Sequence, residues 1–183
     1  MATRLVAFLL CAFALHASAA DVGGVRIPDA DGSLVLNGAG VRQRFVFDVY
    51  ALGLYLPAKK SSAAEVIGTA GPKRLLIHML RDVPADQFSG ALMDGLKDNV
   101  PEAELKTLDP RIRQLNDLML SFKEAKKGMR ITIDWSEAGT VVSTDGKAAG
   151  APIPGEDLYR ALMKIWLGER PVQPDLKKAL LGG

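Results

Sequence analysis

The sequence predicts an α+β fold, an open-faced antiparallel β-sheet with helices layered on one face. Three observations predict it. The elements run strands, helix, strand, two helices, meandering strands, helix. Residues 45–56 read as a long strand rich in Val, Phe and Tyr, the residues that suit a half-buried pleated surface. Regular strand–helix–strand alternation is missing, which argues against a doubly wound parallel sheet.

Taken in order, Asp29-Ala30-Asp31-Gly32 reads as a turn and residues 33–37 as a short strand. Gly38-Ala39-Gly40 reads as a turn that needs positive φ. Residues 45–56 read as a long strand ended by Pro57. Residues 61–68 form a short helix capped by Ser61 or Ser62, whose hydroxyl can accept from a first-turn N–H. Residues 73–80 are an apolar strand. Residues 84–100 are a helix, because Phe88, Leu92 and Leu96 recur at four-residue spacing.

Asp109-Pro110 reads as the start of a further helix, a cap followed by a first-turn proline. Ile112, Leu115, Leu118, Met119 and Phe122 then make its apolar stripe, and Gly128 closes the segment. Residues 129–135 and 140–144 form a hairpin. Asp145-Gly146 is a tight-turn pair leading to a strand at 147–152. Residues 155–167 form an amphipathic helix with Leu158, Tyr159, Leu162, Ile165 and Trp166 on one face. Residues 174–181 form a short terminal helix.

Residues 1–20 read as a targeting segment. Arg4 supplies a charged start, residues 5–15 an apolar run, and Ala17-Ser18-Ala19 a small-residue cleavage site of the secretory kind. The run is too short for a membrane-spanning helix. Cleavage after Ala19 or Ala20 leaves one domain over residues 21–183 and places the protein in the periplasm or outside the cell. Cleavage also removes the single cysteine, Cys11, so the mature chain has no disulfide, thiolate nucleophile or cysteine ligand. About 160 residues suffice to bury a core of their own.

The chemistry-bearing residues exclude more than they indicate. With 23 Lys and Arg against 21 Asp and Glu, charge is near balance, and the basic residues are scattered. That argues against nucleic acid as a partner. Once His16 leaves, His78 is the only histidine, in an alternating strand beside Leu76 and Leu80; it reads as a half-buried strand histidine with one hydrogen-bond partner. A Ser-His-Asp triad would have to use it. A His/Cys zinc site is excluded; a carboxylate-only metal site stays open, although no acidic cluster has calcium-loop spacing. No cofactor is implied, because the glycines at 38 and 40 do not continue into a dinucleotide fingerprint.

The informative stretch is residues 36–57, where Arg42 and Tyr50 are the strong polar handles beside a long apolar strand. Such a pattern can hold a small apolar molecule with one oxygen-rich end. Arg42 is either a solvated arginine at a strand start or a carboxylate clamp at the mouth of an apolar cleft. Tyr50 is either a core tyrosine with its hydroxyl satisfied or the assistant of that clamp. On one straight strand the two would stand roughly 26 Å apart, so they meet only if the chain bends near residues 43–45. Phe88, Leu92, Ile165 and Trp166 lie on two helices and either pack against the sheet or line a cleft.

Three segments resemble the chalcone isomerase-like family. The first is Leu36-Asn37-Gly38-Ala39-Gly40-Val41-Arg42 followed by Val49-Tyr50-Ala51-Leu52-Gly53-Leu54-Tyr55-Leu56. The second is the helix near Pro84 with Phe88. The third is Ile165-Trp166-Leu167-Gly168-Glu169, then Val172 and Pro174-Asp175-Leu176-Lys177. The likeness is closer to secreted bacterial members than to the plant enzymes. It implies that Arg42 falls on the family's substrate-clamping arginine and Tyr50 on an active-site threonine. Phe88 falls on an active-site tyrosine, Ala91 on a lysine and Gly95 on an asparagine. Ile165 and Trp166 fall on a Thr-Met pair that contacts substrate. Ring closure of a chalcone needs electrostatic help for a phenolate and a developing enolate. Here the arginine stays and most of the other polar groups are gone.

The resemblance therefore implies a non-catalytic protein binding a small amphipathic carboxylate, such as a fatty acid, through Arg42 and Tyr50. The alternative is an intramolecular lyase acting on an enone. A structural or protein-partner role without ligand is a third reading.

Overall fold

The computed structural model describes residues 19–183, so most of the expected targeting segment lies outside the described residues. The chain runs β1 (Ala19–Val22), β2 (Val25–Pro28), β3 (Ala30–Asp31), β4 (Leu34–Arg44), β5 (Phe47–Leu56), α1 (Ala63–Gly68), β6 (Lys73–Met79) and β7 (Val83–Pro84). It continues through α2 (Ala85–Asn99), α3 (Glu102–Leu120), β8 (Glu124–Ala125), β9 (Arg130–Ser136), β10 (Gly139–Thr144), β11 (Lys147–Ala148), α4 (Glu156–Leu167) and α5 (Pro174–Leu180). Seven strands form one antiparallel sheet in the order β11-β10-β9-β6-β5-β4-β3. The expected α+β architecture is the observed one.

Alternation along the strands sorts the two faces. Leu52, Leu54, Ile77 and Ile133 point to the side where Phe88, Leu92, Leu162 and Ile165 of α2 and α4 bury them. Ala51, Tyr55 and Leu76 point the other way, into a smaller cluster with Ile27, under the β1–β2 hairpin. The Tyr55 hydroxyl donates to the Pro28 carbonyl at 2.8 Å and ties that hairpin down.

One buried charge crosses the layers. Lys73 opens β6 with its ammonium fully buried, donating to the Thr69 carbonyl at 2.5 Å and to Glu156 Oε1 at 2.7 Å. It joins the end of α1 to the start of α4. The α1 cap is Ser62, whose hydroxyl accepts from the Glu65 N–H at 3.3 Å.

Three local expectations change. The helix expected to start at Asp109-Pro110 is α3, which begins at Glu102 and carries Pro110 inside it. Proline breaks an intrahelical bond to the residue four before it. Here that residue, Lys106, is exposed, so water can serve its carbonyl. Burial of Leu108, Leu115 and Met119 outweighs the local cost.

Gly38 and Gly40 are not in a turn. They lie inside β4, and neither has positive φ. They are small because α5 crosses them: a Cβ at Gly38 would meet the Ala179 carbonyl oxygen at 2.2 Å, and one at Gly40 the Ala179 Cβ at 2.9 Å. The turn comes later, at Phe45 and Val46, where Phe45 takes φ +55°. The strand expected from residue 45 thus starts at Phe47, and the strand expected over 147–152 is only Lys147–Ala148.

Candidate functional site

The β4–β5 hairpin brings Arg42 opposite Tyr50 as direct cross-strand partners. The straight-strand separation does not arise, because the chain reverses between the two residues. Which face they share is set by a bulge. Leu36 pairs with Tyr55 and Gly38 with Leu54, leaving Asn37 as the extra residue. Leu34 and Leu36 therefore face the β1–β2 side, while Gly38, Gly40 and Arg42 face the helices. Asn37 is held there by its amide, which donates to the Leu180 carbonyl at 2.7 Å and accepts from the Lys60 N–H at 2.6 Å.

Between this hairpin and α2 lies a cavity of about 490 Å³. Its inner wall is Tyr50, Phe88, Leu92 and Ile165, all buried, with Arg42 beside them. Phe88 meets Tyr50 edge to face, with centroids 6.3 Å apart and rings at 82°. Its outer rim is Arg44, Phe45, Phe47 and Arg81, all exposed. The volume lies within the usual range for small-molecule sites, about 300–1,000 Å³.

Tyr50 is the polar centre of the inner wall. Its hydroxyl accepts from Trp166 Nε1 at 2.9 Å. Burial pushes its pKa up, and the Trp166 N–H and the Arg42 charge pull it only partly back. Tyr50 is thus a neutral phenol at any ordinary pH and keeps its proton. Among the described residues nothing accepts that proton, so the O–H is available to an acceptor in the cavity. Trp166 is absent from the cavity wall; it stands behind Tyr50 and orients it.

Arg42 is held through one guanidinium nitrogen. Its Nη1 donates to the Gln43 carbonyl and, at 3.4 Å, to Gln173 Oε1. The same Gln173 oxygen accepts from the Gln43 N–H at 2.8 Å, and its amide donates to the Val41 carbonyl at 3.2 Å. Gln173, at the N-cap position of α5, spends its side chain on the end of β4 instead of on the helix, and nothing in the sequence singled it out. Nor did the sequence single out Arg44, Phe47 and Arg81 of the rim. The signal for Arg44 and Phe47 was the basic and aromatic run 42–47, which reads as strand until the turn is known; Arg81, in the bend after β6, carried none.

His78 lies on the opposite face of β6 from Ile77 and is not part of the cavity. Against expectation, its ring makes no hydrogen bond among the described residues. Partial burial, and then its cross-strand neighbour Arg130, push its pKa down. Among the described residues no three His, Cys, Asp or Glu side chains gather where they could hold a metal ion, and no helix is long and apolar enough to cross a membrane.

The family model for chalcone isomerase-like proteins matches residues 19–182. The chain belongs to the chalcone isomerase-like family. A solved fatty-acid binding protein of Arabidopsis thaliana shares the fold with a TM-score of 0.65 at 17% identity, over 86% of this chain and 92% of that one. No curated protein sequence matches.

In this chalcone isomerase-like chain, two positions that resemblance assigns to polar groups of the plant enzymes are apolar, and for Gly95 the reason is visible. Ala91 lines the cavity with only a methyl group. Gly95 is closed off by α4, since a Cβ there would come 2.7 Å from Ile165 Cγ2. A larger polar side chain at 95 would have to push the two helices apart.

Proposed function

We propose that this protein is exported and holds a small amphipathic carboxylate, such as a fatty acid, in the cavity without transforming it. The observation that carries the reading is the single rung of β4 and β5 that pairs Arg42 with Tyr50 where both line the cavity, next to the apolar side chains of Phe88, Leu92 and Ile165. A guanidinium presents paired N–H donors matched to a carboxylate, and a neutral phenol with an unused proton adds a third. Phe88, Leu92 and Ile165 would receive the hydrocarbon chain. The shared fold of the Arabidopsis thaliana fatty-acid binding protein supports the same class of ligand.

The rival reading, ring closure of an enone, keeps Arg42 and a hydroxyl at Tyr50. It loses the donors at Phe88, Ala91 and Gly95, and losing one preorganised donor costs roughly 100- to 1,000-fold in rate. Calorimetric titration with medium-chain fatty acids, beside a chalcone absorbance assay, separates the two. Saturable heat with no cyclisation above buffer is expected. A stereoselective rate would overturn the binding reading and favour the lyase.

Export rests on Arg4, the apolar run 5–15 and Ala17-Ser18-Ala19. Cleavage after Ala19 or Ala20 would keep the Asp21↔Arg26 and Val22↔Val25 pairs of the β1–β2 hairpin. The intact mass of protein from the periplasmic fraction is expected to begin at Ala20 or Asp21. A mass retaining residues 1–19 would overturn the processing.

A further inference from the structure

Three consecutive apolar side chains stand in solvent at the tip of the β4–β5 hairpin: Phe45 is 89% exposed, Val46 85% and Phe47 55%. Phe45 is also held in the left-handed region. For a bulky aromatic residue that conformation is costly, and folding gains no burial in return. Cations surround the tip. The Arg44 guanidinium lies 5.9 Å from the Phe45 ring centre, and the Arg81 guanidinium 4.8 Å from that of Phe47. Lys126 and Lys127 are exposed in a loop that the Lys127 N–H ties to Asp82, next in sequence to Arg81, at 2.7 Å. Of the charged residues lining the cavity mouth three are arginines, Arg42, Arg44 and Arg81, and one is a carboxylate, Asp82. Asp48, beside Phe47 in sequence, accepts from the Gln43 amide at 2.7 Å and keeps its charge.

We propose that this tip is a docking surface for an anionic lipid bilayer. Phe45, Val46 and Phe47 enter the headgroup region, and the arginines and lysines pair with lipid phosphates. By themselves the three apolar side chains, roughly 500 Å² of surface, fall short of the about 800 Å² per side of a specific protein complex, whereas insertion into a headgroup region needs no such area. Charge selects the anionic membrane over a neutral one. Because Arg44, Phe45, Phe47 and Arg81 also form the cavity rim, docking turns the cavity mouth toward the lipid.

The test is sedimentation of ligand-free protein with vesicles of phosphatidylcholine alone, or with about a quarter phosphatidylglycerol. Binding at least roughly 10-fold stronger to the anionic vesicles is expected, weakening as salt rises from about 0.1 to 0.5 M. Arg81→Glu reverses one charge, a change of two units, and is expected to weaken binding roughly 30-fold. Val46 does not line the cavity, so Val46→Asp should lose vesicle binding while fatty-acid affinity in solution stays as in wild type. Equal binding to neutral and anionic vesicles, or full binding by Val46→Asp, would overturn the proposal. So would self-association that Val46→Asp abolishes without any vesicle binding, which would assign the tip to a second copy of the chain. The vesicle arm needs no ligand in the cavity, so its outcome is independent of the fatty-acid reading.

Discussion

Arg42→Ala is expected to weaken binding of a medium-chain fatty acid by roughly 10- to 150-fold, since a charge-assisted hydrogen bond contributes about 1.5–3 kcal/mol. Folding is expected to survive. The guanidinium is only half-buried, and its own partners are the Gln43 carbonyl and the Gln173 side chain, not a buried charge. Tyr50→Phe should cost less, because the ring stays packed on Phe88 and only the hydroxyl is lost. Titration calorimetry alongside a thermal melt reads both. Wild-type affinity in Arg42→Ala would remove the clamp. A collapsed melt would make Arg42 structural, and Arg42→Gln, which keeps the reach without the charge, would then show whether charge matters for ligand.

Trp166→Ala should cost about 3–5 kcal/mol of stability, the usual range for emptying a large aromatic from a core. For a chain of this size that corresponds to a fall in melting temperature of roughly 6–20 °C. The indole is fully buried between α4 and the sheet and supplies the hydrogen bond to Tyr50. Trp166→Phe separates its two roles. Most of the packing remains, and the Tyr50 hydroxyl loses its donor, at a cost of about 0.5–1.5 kcal/mol. Fatty-acid affinity should then drop modestly, through a misdirected Tyr50. A melt of Trp166→Ala indistinguishable from wild type would contradict the core position of this residue.

The elements that could be read from the chain alone are those whose burial pattern is local. The β6 strand, the helices α2 and α4, and the β9–β10 hairpin each carry their own periodicity, and each stands where the sequence placed it. Arg42 was legible as a cation beside an apolar strand. What was not legible depended on partners far along the chain. Gly38 and Gly40 look like turn residues until α5, some 140 positions later, is seen lying on them. Phe45-Val46 look like strand because neither is a turn former, so the true reversal carried no local signal. Pro110 reads as a helix start unless the burial of Leu108 ahead of it is known. Trp166 and Ile165 look equivalent in sequence, yet one step around α4 puts Ile165 on the cavity wall and Trp166 behind Tyr50.

The Asn37 bulge makes the site a matter of parity. Two-residue alternation would put Arg42 on the same side as Leu34 and Leu36, under the β1–β2 hairpin; one inserted residue moves it to the helix side. Insertions and deletions here therefore differ in kind from substitutions. A relative that lacks the extra residue would need its cation displaced by one position along β4 to keep it in the cavity, and an alignment that closes that gap silently would match this arginine to a residue facing the opposite way.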